Sequence, residues 1–189
     1  MFDPPEDLLV CSNHVWHGSA ILWHASLDPD ITKLRTTSSR FSAVKISNQK
    51  EKIIAVSIYF PTSGKDDEYL ECVSSLMDFI LDNQKENEII LIGTDSNCSE
   101  KSSNRRSAAM HSLCQKLDLV KICLNVPTFH HHNGTSESNI DYYLISKPHA
   151  SKLVLKSSPC TLENPKNLSS HDPILAVLQV PAPTDTSLI

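Results

Sequence analysis

A carboxylate and a carboxamide sit two residues apart in Gly93-Thr94-Asp95-Ser96-Asn97, directly after the apolar run Glu88-Ile89-Ile90-Leu91-Ile92. Side chains alternate along a strand, so Asp95 and Asn97 at the end of one point the same way. The loops after strands are where α/β enzymes place their chemistry, although a strand running into an Asp/Asn turn gives the same letters. Two downstream segments extend the pattern: Ser138-Asn139-Ile140-Asp141-Tyr142 and Ser169-Ser170-His171-Asp172-Pro173-Ile174. Asp141 interrupts an apolar strand, and a buried carboxylate needs a partner, which a histidine supplies. Together these groups suit metal-dependent hydrolysis of a phosphodiester. Asp95 orients or deprotonates water, and Asn97 donates to a phosphoryl oxygen. His171 binds the phosphate as imidazolium or transfers a proton, with Asp141 fixing its tautomer. A hard cation, Mg²⁺ or Mn²⁺, is the expected cofactor, with no residue assigned as its ligand.

Several elements must position these residues. Phe41–Ile46 alternates with period two and Ile53–Phe60 is a second strand, so 41–60 reads as a hairpin ended by Pro61. Residues 66–83 read as a helix with Tyr69, Val73, Leu76 and Ile80 on one face. A strand over 88–92 leads into the Asp95 loop. A second helix is expected over about 105–118, with Met110, Leu113 and Leu117 as its stripe, followed by strands at 140–145, 152–157 and 173–180. Ala20-Ile21-Leu22-Trp23 is a short run of buried type. Hairpins mixed with helices favour an α/β sandwich of mixed sheets over a doubly wound parallel sheet. Residues 1–17 read as irregular, 18–180 as one domain, and the tail from Pro181 as disordered.

Composition sets outer bounds. The 189 residues carry 40% hydrophobic and 21% charged side chains, enough for one domain with a substantial core. No run approaches the roughly 18 apolar residues of a membrane span, and the acidic, Pro-rich start is unlike a secretory signal. Six scattered Cys without a C-x-x-C pair point to free thiols in an intracellular, nuclear or cytoplasmic setting rather than a disulfide frame. A net charge of −5 argues against a tight, non-specific nucleic-acid binder, but not against an enzyme gripping phosphate through an ion and a few local cations. Lys101, Arg105 and Arg106 are those cations, or else an exposed helix start. His130-His131-His132 reads as a solvated loop, because three consecutive His cannot all face one ion.

Ile58-Tyr59-Phe60-Pro61, Leu91–Asn97, Ser138–Tyr142 and Ser170–Ile174 resemble four ordered motifs of the endonuclease/exonuclease/phosphatase superfamily. The Gly-Thr-Asp-Ser-Asn form, Ser102–Arg106 and Pro127–Gly134 look most like the endonuclease domains of non-LTR retrotransposons. The resemblance implies a DNase I-like four-layer α/β sandwich with two mixed sheets. It implies a Mg²⁺-dependent DNA endonuclease in which Tyr59, Asp95, Asn97, Asp141 and His171 are catalytic and DNA is the partner, with no membrane and no obligate protein partner. The family's last motif has an Asp where Ser170 stands; Asp172 is a substitute, though on a strand it faces the other way. The family's first strands, with an Asn and a metal-binding Glu, have no counterpart before Ala20. The chain therefore reads as N-terminally truncated, its activity weak or absent. A catalytically inactive remnant and a phosphatase acting on a small phosphoester are the competing expectations.

Overall fold

The protein is described here by a computed structural model covering residues 18–47, 51–98, 104–131, 134–156 and 169–179. The expected irregular start and disordered tail lie outside these residues, as does Lys101. A 3₁₀ turn over Ala25–Asp30 precedes strand β1 (Ile31–Leu34). Strands β2 (Phe41–Ser47) and β3 (Lys52–Tyr59) form the expected hairpin, antiparallel from Phe41 opposite Ile58 to Ser47 opposite Lys52. Helix α1 occupies Asp66–Asn83, with Asp66, Asp67 and Glu68 placing negative charge on the positive end of its dipole. It returns the chain to β4 (Ile89–Asp95), which lies parallel to β3. Helix α2 (Arg105–Lys116) is capped by the Asn104 side chain, which accepts from the Ser107 N–H.

The remaining strands are β5 (Leu119–Ile122), the short β6 (Phe129–His130) and β7 (Glu137–Ser138), β8 (Asp141–Ser146), β9 (Leu153–Lys156) and β10 (Leu175–Leu178). Six of them make one mixed sheet in the order β1-β2-β3-β4-β8-β5, while β9 pairs with β10 and β6 with β7. Tyr69, Val73, Leu76 and Ile80 of α1 and Met110 and Leu113 of α2 pack on one face of the large sheet. The β9–β10 pair covers part of the other face through Leu153, Ala176 and Leu178. The architecture is thus the mixed α/β sandwich expected from the sequence.

Two local readings need correction. Ala20–Trp23 forms no strand, and Leu22 is 78% exposed. The Trp23 indole N–H donates to Asp28 and His24 Nδ1 accepts from the Ser26 N–H, so side-chain bonds curl the chain into the 3₁₀ turn instead. Strand β5 is unmarked in the sequence, because only two residues separate it from α2. The tight junction is made by Asp118 in the left-handed region, φ 48°.

Candidate active site

Strand parity places the site. Ile54, Val56 and Ile58 of β3, Ile90 and Ile92 of β4, and Tyr142 and Leu144 of β8 all join the core under the helices. Alternation then sends Tyr59, Asp95 and Asp141 to the opposite face. Tyr59 lies opposite Asp95 in the parallel register and Asp95 opposite Asp141 in the antiparallel one, so the three form a row across adjacent strands. At the far end of that face Ile53, Ile89 and Ile145 are covered by β9 and β10. At the near end the side chains become small or polar. There Ser57, Tyr59, Gly93, Asp95, Asp141 and Tyr143 line a cleft of about 450 Å³ that Asp172 and Pro173 also border.

His171 reaches this row from another part of the chain. It forms a single antiparallel bridge with Phe129, flanked by His130 N–H to Ser170 C=O at 2.8 Å and Asp172 N–H to Thr128 C=O at 2.7 Å. Thr128 is buried, and its hydroxyl accepts from the Asp141 N–H at 3.2 Å. One threonine therefore holds both the strand carrying the carboxylate and the segment carrying the imidazole. The Phe129 ring packs on the His171 ring with centroids 4.9 Å apart. So placed, His171 Nδ1 donates to Asp141, 3.0 Å to Oδ2 and 3.2 Å to Oδ1, while Nε2 stands 3.9 Å from Asp95 Oδ2.

The electrostatics follow from the crowding. Burial, and then the neighbouring Asp141 carboxylate, push the Asp95 carboxyl up to about 6; the Asn97 N–H and His171 pull only weakly the other way. The hydrogen bond to Asp141 raises His171, helped by the charges of Asp141, Asp95 and Asp172 and opposed by partial burial. Asp95 is thus poised to exchange a proton near neutrality beside a histidine that favours its charged form.

The same residues suit a divalent cation. One ligand atom each from Asp95, Asp141 and His171 lies within 4.8 Å of the others. Two of the three are carboxylates, the oxygen ligands that hard cations prefer. The raised carboxyl of Asp95 also marks a site short of positive charge, which a cation would offset.

The other expected residues fare differently. Asn97 lies beyond the end of β4, in the left-handed region at φ 44°, so strand alternation does not aim it. Its amide donates to the Phe60 carbonyl at 2.8 Å, and its own N–H donates to Asp95 Oδ1 at 3.1 Å. Arg106, expected to meet substrate phosphate, is instead 4% exposed. Its guanidinium donates to Asp66 and to the carbonyls of Pro61, Thr62 and Asn97, tying the start of α1 to the Asp95 loop. Arg105 stays exposed beside Asp67. His130 is not merely solvated: it bridges Glu137 at 3.1 Å and Asp172 at 2.8 Å, and both bonds raise it. Asp172 accordingly turns to His130 rather than standing in for a carboxylate at Ser170. Nothing in the sequence marks Thr128, since a Thr next to a strand-forming Phe carries no chemical signal.

Comparisons with known proteins bear on this arrangement. Residues 53–175 match the sequence profile of the family described as endonuclease-reverse transcriptase. No curated protein gives a significant sequence match. Similar solved structures include the endonuclease domain of TRAS1, a telomere-specific non-LTR retrotransposon, at 18% identity and a TM-score of 0.61, covering 80% of this chain and 70% of that one. An AP endonuclease from Archaeoglobus fulgidus aligns at 18% identity and a TM-score of 0.58, over 80% of this chain and 71% of that one. The 3′ phosphatase NExo from Neisseria, bound to a product DNA hairpin, aligns at 16% identity and a TM-score of 0.58, over 76% and 66%. At these identities the structural likeness establishes the fold alone.

Proposed function

Because the chain belongs to the endonuclease–reverse transcriptase family and has the DNase I-like fold of the endonuclease/exonuclease/phosphatase superfamily, we propose that it hydrolyses phosphodiester bonds in DNA. The observation that carries the reading is the row Tyr59–Asp95–Asp141 with His171 hydrogen-bonded to its last member. Asp95 takes the proton of the attacking water, its buried carboxyl holding that proton more readily than a solvated one. His171, oriented through Nδ1 by Asp141, presents its Nε2 proton to the phosphoryl oxygen or the leaving alkoxide. Asn97 donates to a phosphoryl oxygen through the amide hydrogen not used on Phe60. Tyr59 borders the same phosphate. Arg105 meets the DNA backbone, and Lys101 is assigned the same role from its place in the sequence. Asp95 and Asp141 would hold Mg²⁺ or Mn²⁺ through carboxylate oxygens, leaving His171 to its proton; the ion when bound offsets charge on the phosphoryl and leaving oxygens.

Descent from a retrotransposon endonuclease is supported by the profile match and by the likeness to the TRAS1 domain. An intracellular setting is part of the same reading, supported by the thiols of Cys72, Cys114 and Cys123, which form no disulfide. No described helix is long and apolar enough to cross a membrane.

The test is nicking of supercoiled plasmid by the full chain with Mg²⁺ or Mn²⁺, alongside Asp95→Ala and His171→Ala. Metal-dependent nicking lost in both variants is expected. Phosphate released from a small phosphoester such as an inositol phosphate, without nicking, would replace the nuclease with a phosphatase. Neither activity, or nicking that survives both substitutions, would leave a non-catalytic remnant.

A further inference from the structure

Tyr143 takes no part in the chemistry above, yet it is the one aromatic side chain of β8 on the cleft face. It is the cross-strand neighbour of Gly93 on β4 and of Ile122 on β5. Its ring lies over Gly93 so closely that a Cβ there would stand 3.3 Å from Tyr143 Cε1. Gly93 thus leaves a notch in the floor of the cleft, and the tyrosine ring leans across it. From that position the Tyr143 hydroxyl donates to the Ile174 carbonyl at 3.2 Å.

Ile174 follows His171 by three residues, and the intervening Asp172 and Pro173 border the cleft. The segment 170–174 is pinned on the Thr128 side by His130 N–H to Ser170 C=O and Asp172 N–H to Thr128 C=O. Those two bonds fix its beginning. On the β8 side the described bond at its end is the one from Tyr143 to Ile174. We infer that Tyr143, seated in the Gly93 notch, is a positioning residue that sets where the His171 segment stands over the Asp95–Asp141 row.

The need for such a device follows from the chemistry. His171 Nε2 stands 3.9 Å from Asp95 Oδ2, too far for a direct hydrogen bond, and that gap is where a water or phosphoryl oxygen fits. Beyond Ile174 the chain is taken up by β10, paired with β9 from Leu175 opposite Lys156, so the Tyr143 bond does not anchor a loose end but sets how far the stretch between Asp172 and Leu175 stands from the row. A shift there moves the imidazole toward Asp95 or away from it and loses the gap while leaving the core intact.

This inference rests on the phosphodiesterase reading for its kinetic consequence but not for its structural one, so two measurements separate them. Tyr143→Phe removes the hydroxyl and keeps the ring. The amide of Asp172, bonded to Thr128, is expected to exchange with solvent about fivefold faster in that variant, the loss of one neutral hydrogen bond, while Ile90 and Ile92 in β4 keep their protection. Nicking is expected to slow by a similar factor in kcat with KM unchanged. Gly93→Ala, whose Cβ makes the ring give way by a few tenths of an ångström, is expected to speed Asp172 exchange in the same direction. Unchanged Asp172 exchange in both variants would overturn the inference, as would exchange raised equally in β4, which marks general destabilisation. If the native chain cuts no DNA, the functional reading fails and the exchange measurement still decides on Tyr143.

Discussion

Arg106 separates what its place in the sequence suggests from what its surroundings allow. Arg106→Ala removes a guanidinium with only 5% of its side chain exposed, which donates to Pro61 C=O at 3.0 Å, Thr62 C=O at 2.7 Å and Asn97 C=O at 3.3 Å. Hydrogen bonds to a charged group are worth ~1.5–3 kcal/mol each, although three on one side chain do not add in full. The ion pair with Asp66 is short, at 2.6 Å, but its carboxylate is 52% exposed, so it adds at most ~1 kcal/mol. Contact with the Tyr69 ring, 4.8 Å from the guanidinium carbon to the centroid, adds ~0.5–2 kcal/mol. A loss of ~3–5 kcal/mol is expected, read as a lower urea midpoint at unchanged slope. Arg106→Lys keeps the charge but not the fork of donors, and should recover less than half. A loss below ~1 kcal/mol accompanied by weaker DNA binding would refute the structural role and return Arg106 to the substrate.

Asp95→Asn should stabilise the protein while ending turnover. The native carboxyl sits at about 6 instead of 3.8, so ionising it costs the folded state stability as pH rises between those values. His171, raised, contributes stability at low pH that is also lost as pH rises through its folded value. Removing the first contribution should add ~1–3 kcal/mol at neutral pH and flatten the urea midpoint between about pH 4 and 6; a variant less stable than native at pH 7 would count against the crowding argument. Asp141→Asn keeps the shape but not the charge that holds His171, and should lower kcat roughly 10²- to 10⁴-fold with little change in KM, checked by plasmid nicking. Arg105→Ala should move stability by less than ~0.5 kcal/mol yet reduce the salt dependence of DNA binding by about one phosphate contact; an unchanged slope would remove Arg105 from the interface.

The sequence was most readable where one periodicity decides the outcome. Helix α1 runs over Asp66–Asn83 as its stripe predicts, because Tyr69, Val73, Leu76 and Ile80 have one face to bury. Strands β2 and β3 pair as their alternation requires. Legibility failed where side chains compete with the ladder, as at Trp23–Asp28, and where a turn is too tight to leave polar residues, as at Asp118. Arg106 failed for a different reason. A basic residue near a catalytic loop looks the same whether it faces phosphate or backbone carbonyls, and only the fold of Pro61–Asp66 against Asn97 decides.

Bringing Asp95 and Asp141 together needs more than periodicity. Parity within each strand shows that Asp95 shares a face with Leu91 and Gly93, and Asp141 with Tyr143 and Ile145. It does not show that β4 and β8 are neighbours. That adjacency comes from the sheet order, in which β8 enters between β4 and β5 and sets Asp141 opposite Asp95. A one-residue slip would turn Asp141 into the helix core, where Tyr142 and Leu144 now pack and no histidine could reach it. The register is held from both sides: by Leu144 and Tyr142 wanting the core, and by the Thr128 hydroxyl on the Asp141 N–H. The meeting of the two carboxylates is therefore a consequence of hydrophobic burial at the alternate positions of their own strands, Tyr142 and Leu144 on β8 and Ile92 on β4, with the carboxylates carried to the cleft by the strands that the core fixes.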